Sequence, residues 1–458
     1  MKNLLIRAGM SPLETFDASH IMLNNSIGSN VGNLIYQYSV FRTLMTEETI
    51  ITPNYYKVSL KEANEINEKY DALIIPLADA FRESFIPELR RYTELIRKLR
   101  IPVVVIGVGL RAPFEPKLDE GFPFDEDVKA FVHAVLEKSS MIGVRGEITA
   151  RYLSRLGFRE GIDHTVIGCP SMYTFGRQLN IRNTSITKDS MVCVNSSHLS
   201  PEHVLRFIAK GMNEFPNHYF IPQWMKELRL TYMGTPPIAE ESEHYPVKMS
   251  NPVYMNNRVR FFLNVPTWLN FMRQADLAFG ARLHGNISAT IAGTPSLIVP
   301  KDARMRELAE YHNLTQIRAD EITENMNVAD VVANSDFQSP TKVQAQNFDH
   351  FIDFLNKNQL PHIYQQTFTP KKVPLDDKIA EIRYPAPLQP ISSCDLEELV
   401  NRLETYYPEL EKKHNQSIQN LKKKINKKEK TIRKQEGTLN RKSVRMALKT
   451  ANLFRFKK

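Results

Sequence analysis

Short apolar runs alternate along this chain with segments whose apolar residues recur every three or four positions. Residues 71–76 read as a strand, and over 88–100 the side chains of Leu89, Tyr92, Leu95, Ile96 and Leu99 fall on one helical face. Residues 101–107 are an unbroken apolar run, the pattern of a parallel strand buried on both faces. A helix over 125–139, a strand at 141–144, a helix over 147–156 and a strand at 164–167 follow. The run from Met1 to Arg7 predicts the first strand; it is too short for the apolar region of a signal peptide and lacks a small-residue cleavage site. A polar stretch at 176–189 reads as a linker, after which the alternation restarts. The strand at 191–194 leads to a helix over 201–214, with Ser200 as N-cap and Pro201 at the first position. A strand at 219–222 follows, and residues 230–262 show no clear period. The pattern returns with a helix over 267–274, a strand at 277–279, a turn at 282–285, a helix over 286–292, a strand at 296–299 and a helix over 302–312. Such alternation predicts an α/β protein, and two such halves predict two Rossmann-like domains facing a cleft. Ligands of such sheets sit beyond the carboxyl ends of the strands. The expected bounds are 1–176 for an N-terminal Rossmann-like domain and 190–335 for a C-terminal one. Residues 336–411 would form a helical, Pro-rich wrap and 412–458 a basic helical tail.

Charge sharpens this division. Residues 412–458 hold seventeen Lys or Arg against two Glu, a net +15, which leaves −6 of the total +9 for the rest. Ile418, Ile425, Ile432 and Leu439 recur every seven residues, but only one heptad position is consistently apolar, which argues against a stable coiled coil. Further on, Val444, Ala447, Leu448, Ala451 and Phe454 share a helical face, and Arg445, Lys449, Arg455, Lys457 and Lys458 add charge. This reads as a basic amphipathic helix for an anionic membrane surface. Nucleic acid is the disfavoured partner, because the tail has few aromatics for stacking. No run of eighteen apolar residues occurs, so the expected location is cytoplasmic, peripheral at the inner membrane face. Three cysteines without a CxxC pair argue against a disulfide framework or a structural zinc site, and no clustered His and Asp ligands call for a metal.

Candidate chemistry concentrates at three strand ends. In 276–295 a strand ends in Arg282-Leu283-His284-Gly285 and a helix of small residues begins at once. Arg282 can grip a carboxylate or phosphate bidentately, His284 can donate to phosphate or move a proton, and Gly285 lets backbone approach an anion at a helix N-terminus. The alternative is a buried Arg–carboxylate pair with a capping His. In 142–157 Arg145 ends a strand, so it can face the cleft; an interdomain salt bridge is the alternative. In 28–36 the turn Asn30-Val31-Gly32-Asn33 precedes a helix and could bind ligand hydroxyls or an anion; a plain βα turn is the alternative. Arg111 follows the buried strand through Gly107-Val108-Gly109-Leu110, and Cys169 reads as a packed thiol rather than a nucleophile.

The Arg-Leu-His-Gly turn, with its small-residue helix, Gly293-Thr294-Pro295 and next strand, resembles the C-terminal motif of the polysaccharide pyruvyl transferases. The 142–157 segment resembles a second motif of that family, with Gly146 where Asp is common. The 28–36 loop resembles a third, Asn-x-Gly-Asp, with Asn33 in the Asp place. The resemblance implies a GT-B-like fold and transfer of the enolpyruvyl group of phosphoenolpyruvate to a sugar of a polysaccharide or lipid-linked oligosaccharide, giving a pyruvate ketal. It implies phosphoenolpyruvate as donor with no further cofactor. His284 and Arg282 would be catalytic, and Arg145, Leu283, Gly285, Asn30, Gly32, Asn33 and Arg111 would bind substrate. A GT-B nucleotide-sugar glycosyltransferase and a non-catalytic, membrane-tethered homologue are the rival readings.

Overall fold

The computed structural model describes residues 1–238 and 242–455 and divides the chain into two compact units, Met1–Asp395 and Leu396–Lys458. In the first unit, β1 (Lys2–Ile6), β2 (Thr49–Pro53), β3 (Ala72–Pro76) and β4 (Val103–Ile106) form a parallel sheet in the order β2-β1-β3-β4. A parallel pair, β5 (Ile142–Val144) and β6 (His164–Val166), continues it through a bridge between Val108 and Val144. β7 (Val192–Asn195), β8 (His218–Phe220), β9 (Leu277–Gly280) and β10 (Ser296–Ile298) form a second parallel sheet, ordered β10-β9-β7-β8. The two halves therefore share one winding. In each, the first strand has the second on one side and the third on the other, so the winding direction reverses between β1 and β3 and again between β7 and β9. Loops leaving the carboxyl ends of the strands diverge at such a reversal and open a crevice.

The cores follow from the apolar pattern. All four residues of β4 are buried, and the helix Ile86–Lys98 turns Leu89, Tyr92, Leu95 and Ile96 inward beside them. In the second half Val192, Val194, Leu277, Phe279 and Leu297 pack with Val204, Leu205, Phe207 and Ile208 of the helix Glu202–Glu214. Each such aliphatic or aromatic side chain contributes about 1.5–3 kcal/mol when fully buried.

Two local expectations change, and two further stretches find their places. The helix Glu202–Glu214 has Pro201, not Ser200, at its N-cap position; the Ser200 hydroxyl accepts from Lys301 Nζ at 3.1 Å instead. The helix expected from 286 begins at Leu283, so Arg282 is its N-cap residue and His284 lies in its first turn. The unplaced 230–262 region receives the end of a helix, Met225–Met233, and a short one, Pro252–Met255. The first of these hides in the sequence because it buries the polar Glu227 and Thr231 along with Met225, Leu228, Leu230 and Tyr232, so that only Lys226 and Arg229 mark its exposed face. Residues 360–395 of the expected Pro-rich wrap lie against both halves. Ile363 N donates to Thr43 O at 2.9 Å, and Leu388 and Phe261 exchange backbone hydrogen bonds at 2.8 and 3.0 Å.

The second unit consists of the helix Leu396–Leu439 and the helix Lys442–Arg455. The first is 44 residues long, about 66 Å at the usual rise. Phe454, Arg455, Lys457 and Lys458 lie outside the described side chains. Among the described residues no helix is long and apolar enough to cross a membrane.

Candidate functional site

The two winding reversals open onto one cleft of about 1010 Å3. Arg7 after β1 and Leu77, Ala78 and Asp79 after β3 line it from one half; Ser197 after β7 and Ala281 and Arg282 after β9 line it from the other. Six cations (Arg7, Arg82, Arg111, Arg282, Lys301 and Arg304) face three carboxylates (Asp79, Glu83 and Asp302) across it. Two of those carboxylates are engaged. Asp79 lies 2.6 Å from Arg82 and 3.5 Å from Arg304, and although burial works to raise its pKa, Arg304, Arg82 and Arg111 together hold it below the usual value. Asp302 caps the helix Ala303–Tyr311, accepting from Met305 N at 2.9 Å. The cleft therefore presents surplus positive charge, suited to a small polyanion.

Arg282 is oriented by its backbone, whose N–H donates to Asn195 Oδ1 at 2.8 Å at the end of β7. Its guanidinium stacks over Trp224, 4.4 Å from the ring centre. Glu227 is the buried carboxylate nearest in electrostatic effect, yet no ion pair joins them; Glu227 accepts from Gln223 N at 2.6 Å, from Trp224 N at 2.8 Å and from the Tyr245 hydroxyl. The Nη2 of Arg282, Nε of Arg304, Nε2 of Gln223 and Nε1 of Trp224 are buried donors with no protein partner. An unmatched buried donor costs about 1–3 kcal/mol, and an anion seated among these would recover it.

His284 stands beside Arg282 on the same helical turn, 7% exposed, with its Nε2 3.8 Å from the Cys169 thiol. Burial, then Arg145, Arg304 and Arg282, push its pKa well below the usual histidine value, so the imidazole is neutral here. Gly32, from the other half, makes room for it: a Cβ on Gly32 would lie 2.8 Å from His284 Nδ1 and 3.0 Å from its Cβ. The 28–33 loop is held against the second half by Val31 N to Gln223 O at 2.9 Å and Met225 N to Ser29 O at 3.0 Å. Asn30 lines the cleft, and its Oδ1 accepts from Gly32 N at 2.9 Å. Asn33 also lines it, and its Nδ2 donates to Ile27 O at 3.0 Å and Gly28 O at 3.3 Å. An aspartate could make neither bond, which accounts for Asn at this position.

Arg145 is fully buried behind the cleft rather than in its wall. Its Nε donates to Gly107 O at 2.7 Å, its guanidinium stacks on Tyr36 at 4.9 Å, and both Nη atoms lack partners. It forms no interdomain salt bridge among the described residues. Gly146 has a physical reason too. A Cβ there would lie 2.6 Å from the Cβ of Glu307, which crosses from the second half. The Glu307 carboxylate accepts from Thr149 N and Thr149 Oγ1, both at 2.8 Å, and so serves the first turn of the helix Glu147–Arg155. Burial raises its pKa to about 7, opposed by those Thr149 bonds and by Arg145 and Arg304. Leu283 and Arg111 line the cleft, whereas Gly285 does not; a Cβ on Gly285 would lie 2.6 Å from Gln223 Nε2, so it serves helix packing rather than approach to a ligand.

The sequence reading overlooked Lys301, Arg304, Arg7, Asp79 and Trp224. Arg7 directly follows β1 and Lys301 lies three residues beyond β10, so the strand-end rule could have found them. Lys301 is pushed down to about 7, first by burial and then by Arg282, with Asp302 opposing. Trp224 gave no signal, because it is the N-cap residue of the helix Met225–Met233, whose buried Glu227 and Thr231 blur its apolar period. Among the described residues no group of His, Cys, Asp and Glu is arranged to hold a metal ion.

Comparison with known proteins adds the family. No curated protein matches the chain by sequence. Among solved structures, the UDP-GlcNAc 2-epimerase of Methanocaldococcus jannaschii in complex with UDP-GlcNAc and UDP is similar at 14% identity and a TM-score of 0.44, over 78% of this chain and 99% of that one. The UDP-GlcNAc 2-epimerase of Neisseria meningitidis bound to UDP-GlcNAc is similar at 13% identity and a TM-score of 0.39, over 78% and 100%. The polysaccharide pyruvyl transferase family model matches residues 31–302, a span that runs from the first-half loop through both sheets and takes in Arg145, Arg282, His284 and Lys301. With more than half its length so matched, this chain belongs to the polysaccharide pyruvyl transferase family.

Proposed function

We propose that the protein transfers the enolpyruvyl carbon skeleton of phosphoenolpyruvate to a pair of hydroxyls on a sugar, forming a cyclic pyruvate ketal. The observation that carries this reading is the cleft at both winding reversals, where six cations outnumber three carboxylates and Arg282 and His284 head a helix. Phosphoenolpyruvate carries a carboxylate and a phosphate on one small frame, and both match guanidinium forks and unpaired N–H groups.

Two hydroxyl protons are redistributed in the reaction. One ends on C3 of the vinyl group, which becomes a methyl; the other leaves with phosphate. Protonation at C3 places positive character on C2, where one sugar oxygen adds. The C2–O bond to phosphate breaks, and the second sugar oxygen closes the ketal. Arginines placed before the reaction stabilise the departing phosphate without reorganising. His284 is neutral in the cationic cleft. A bound trianion offsets the field of Arg282, Arg304 and Arg145 and raises its pKa, so donor binding itself prepares the imidazole to carry a proton.

The test is phosphate release from phosphoenolpyruvate in the presence of a screened panel of sugar acceptors, with the ketal methyl detected by NMR. Arg282→Ala and His284→Ala should each lower turnover at least about a hundredfold while leaving the thermal transition in place. Release of a nucleoside diphosphate from a nucleotide sugar instead would assign the protein to glycosyl transfer. Wild-type turnover in both folded variants would remove these residues from the reaction.

A further inference from the structure

The second unit carries the strongest charge on the chain. Its long helix Leu396–Leu439 bears ten Lys or Arg against two Glu between 412 and 439. Ile418, Leu421, Ile425, Ile432 and Leu439 are each about half exposed, between 49% and 57%. At about 100° per residue, these five side chains fall within an arc of roughly 60°, a single stripe about 32 Å long from Ile418 to Leu439. Lys424 and Lys428 flank the stripe on one side, and Lys422 and Arg433 flank it on the other. Long cationic side chains so placed lay their methylenes along an apolar surface and carry their charges outward to either side. Glu429 and Glu436 also border the stripe, but the surrounding cations outnumber them.

We propose that this helix docks lengthwise on an anionic lipid surface, the aliphatic stripe entering the headgroup boundary and the flanking cations pairing with lipid phosphates. A second copy of the chain fits less well. In a two-stranded coil built on the same stripe, Lys428 and Gln435 would occupy seam positions that require apolar side chains, and two strongly basic helices would lie side by side. Nucleic acid also fits less well, because no Phe, Tyr or Trp stands between Tyr407 and Phe454 to stack on bases, and it would leave the aliphatic stripe in water. Charge is the larger contribution. A narrow stripe buries little area, whereas each cation near an anionic surface adds a several-fold gain that fades beyond a Debye length. The inference concerns where the protein is held and stands whether or not the cleft performs pyruvyl transfer.

The experiment is co-sedimentation of the full-length protein with phosphatidylcholine vesicles containing either no phosphatidylglycerol or about 40% of it, over a salt series. Binding is expected only with the anionic vesicles and should weaken steeply with salt. Replacing Lys422, Lys424 and Lys428 together by Gln should lower the partition coefficient on the order of a hundredfold. Ile425→Ser with Ile432→Ser should lower it at least about tenfold, with the thermal transition unchanged in both variants. Equal sedimentation with neutral vesicles, or indifference to salt and to the lysine variant, overturns the proposal. Tighter binding to a single-stranded oligonucleotide, unaffected by the isoleucine variant, also overturns it. So does a dimer that the isoleucine variant abolishes and that does not sediment with vesicles.

Discussion

Gly32→Ala tests how the two halves share the site. Gly32 is the first residue of the helix Gly32–Leu44, where alanine is at least as well suited to the backbone. The added methyl would lie 2.8 Å from His284 Nδ1, 3.0 Å from His284 Cβ and 3.2 Å from Asn30 Oδ1. Ordinary contact starts at 3.4 Å, so the imidazole must retreat by about 0.6 Å and its Cβ by about 0.4 Å. The Cβ belongs to the first turn of the helix Leu283–Ile291, so the retreat also moves the backbone next to Arg282. Overpacking costs about 1–3 kcal/mol. Helix preference returns up to about 1 kcal/mol, so net destabilisation should stay under about 3 kcal/mol. Catalysis is far more sensitive, because displacements near 1 Å cost about a hundredfold. Turnover should therefore fall about ten- to a hundredfold in a protein that remains folded. Phosphate release measures kcat and KM, a thermal melt measures stability, and histidine NMR follows the His284 ring. If Gly32 only leaves backbone room for a ligand, KM alone rises and the His284 signal does not move. Turnover within twofold of wild type, or a loss that tracks unfolding, refutes the reasoning.

Three further outcomes follow from the same geometry. Asn33→Asp restores the residue common in the family, yet it should destabilise by about 2 kcal/mol or more, read by denaturant titration, because its carboxylate would face the Ile27 and Gly28 carbonyls that Nδ2 now serves. Lys301, at about 7, is protonated below that pH and neutral above it, so KM for phosphoenolpyruvate should rise as pH passes 7; Lys301→Arg should flatten the rise in a KM–pH profile. Glu307 has a folded pKa of about 7, above the ordinary carboxyl value of 4.5, so its contribution to stability is full below about 4.5 and is lost as pH rises through 7. Glu307→Gln should remove that slope from melting curves taken between pH 5 and 8 and change stability by less than about 1 kcal/mol at pH 5, where the amide matches the protonated carboxyl: its oxygen accepts from Thr149 N and its NH2 donates to the Thr149 hydroxyl.

Local periodicity carried much of the architecture. Burial of parallel strands on both faces writes itself into continuous apolar runs such as 101–107, and one-sided burial writes itself into the spacing of Leu89, Tyr92, Leu95 and Ile96. Charge partition marked 412–458 because charge is additive along a sequence, but the structural division falls earlier, between Asp395 and Leu396, where the helix Leu396–Leu439 begins. The Arg-Leu-His-Gly turn was legible because a strand end, a helix start and the residues they present are contiguous. Tertiary structure decided what depends on residues far apart in the chain. The strand order that aligns both winding reversals on one cleft is set by packing of whole sheets, not by any one strand's pattern. The purposes of Gly32 and Gly146 are held by His284 and Glu307, more than 150 residues away, and an absent side chain gives no hint of what fills its space. Arg145 looked equally suited to a salt bridge or a ligand; only three-dimensional burial shows both its Nη atoms unpartnered behind the cleft. Protonation states were hidden for the same reason, since the neutral His284 and the lowered Lys301 follow from burial among cations drawn from both halves.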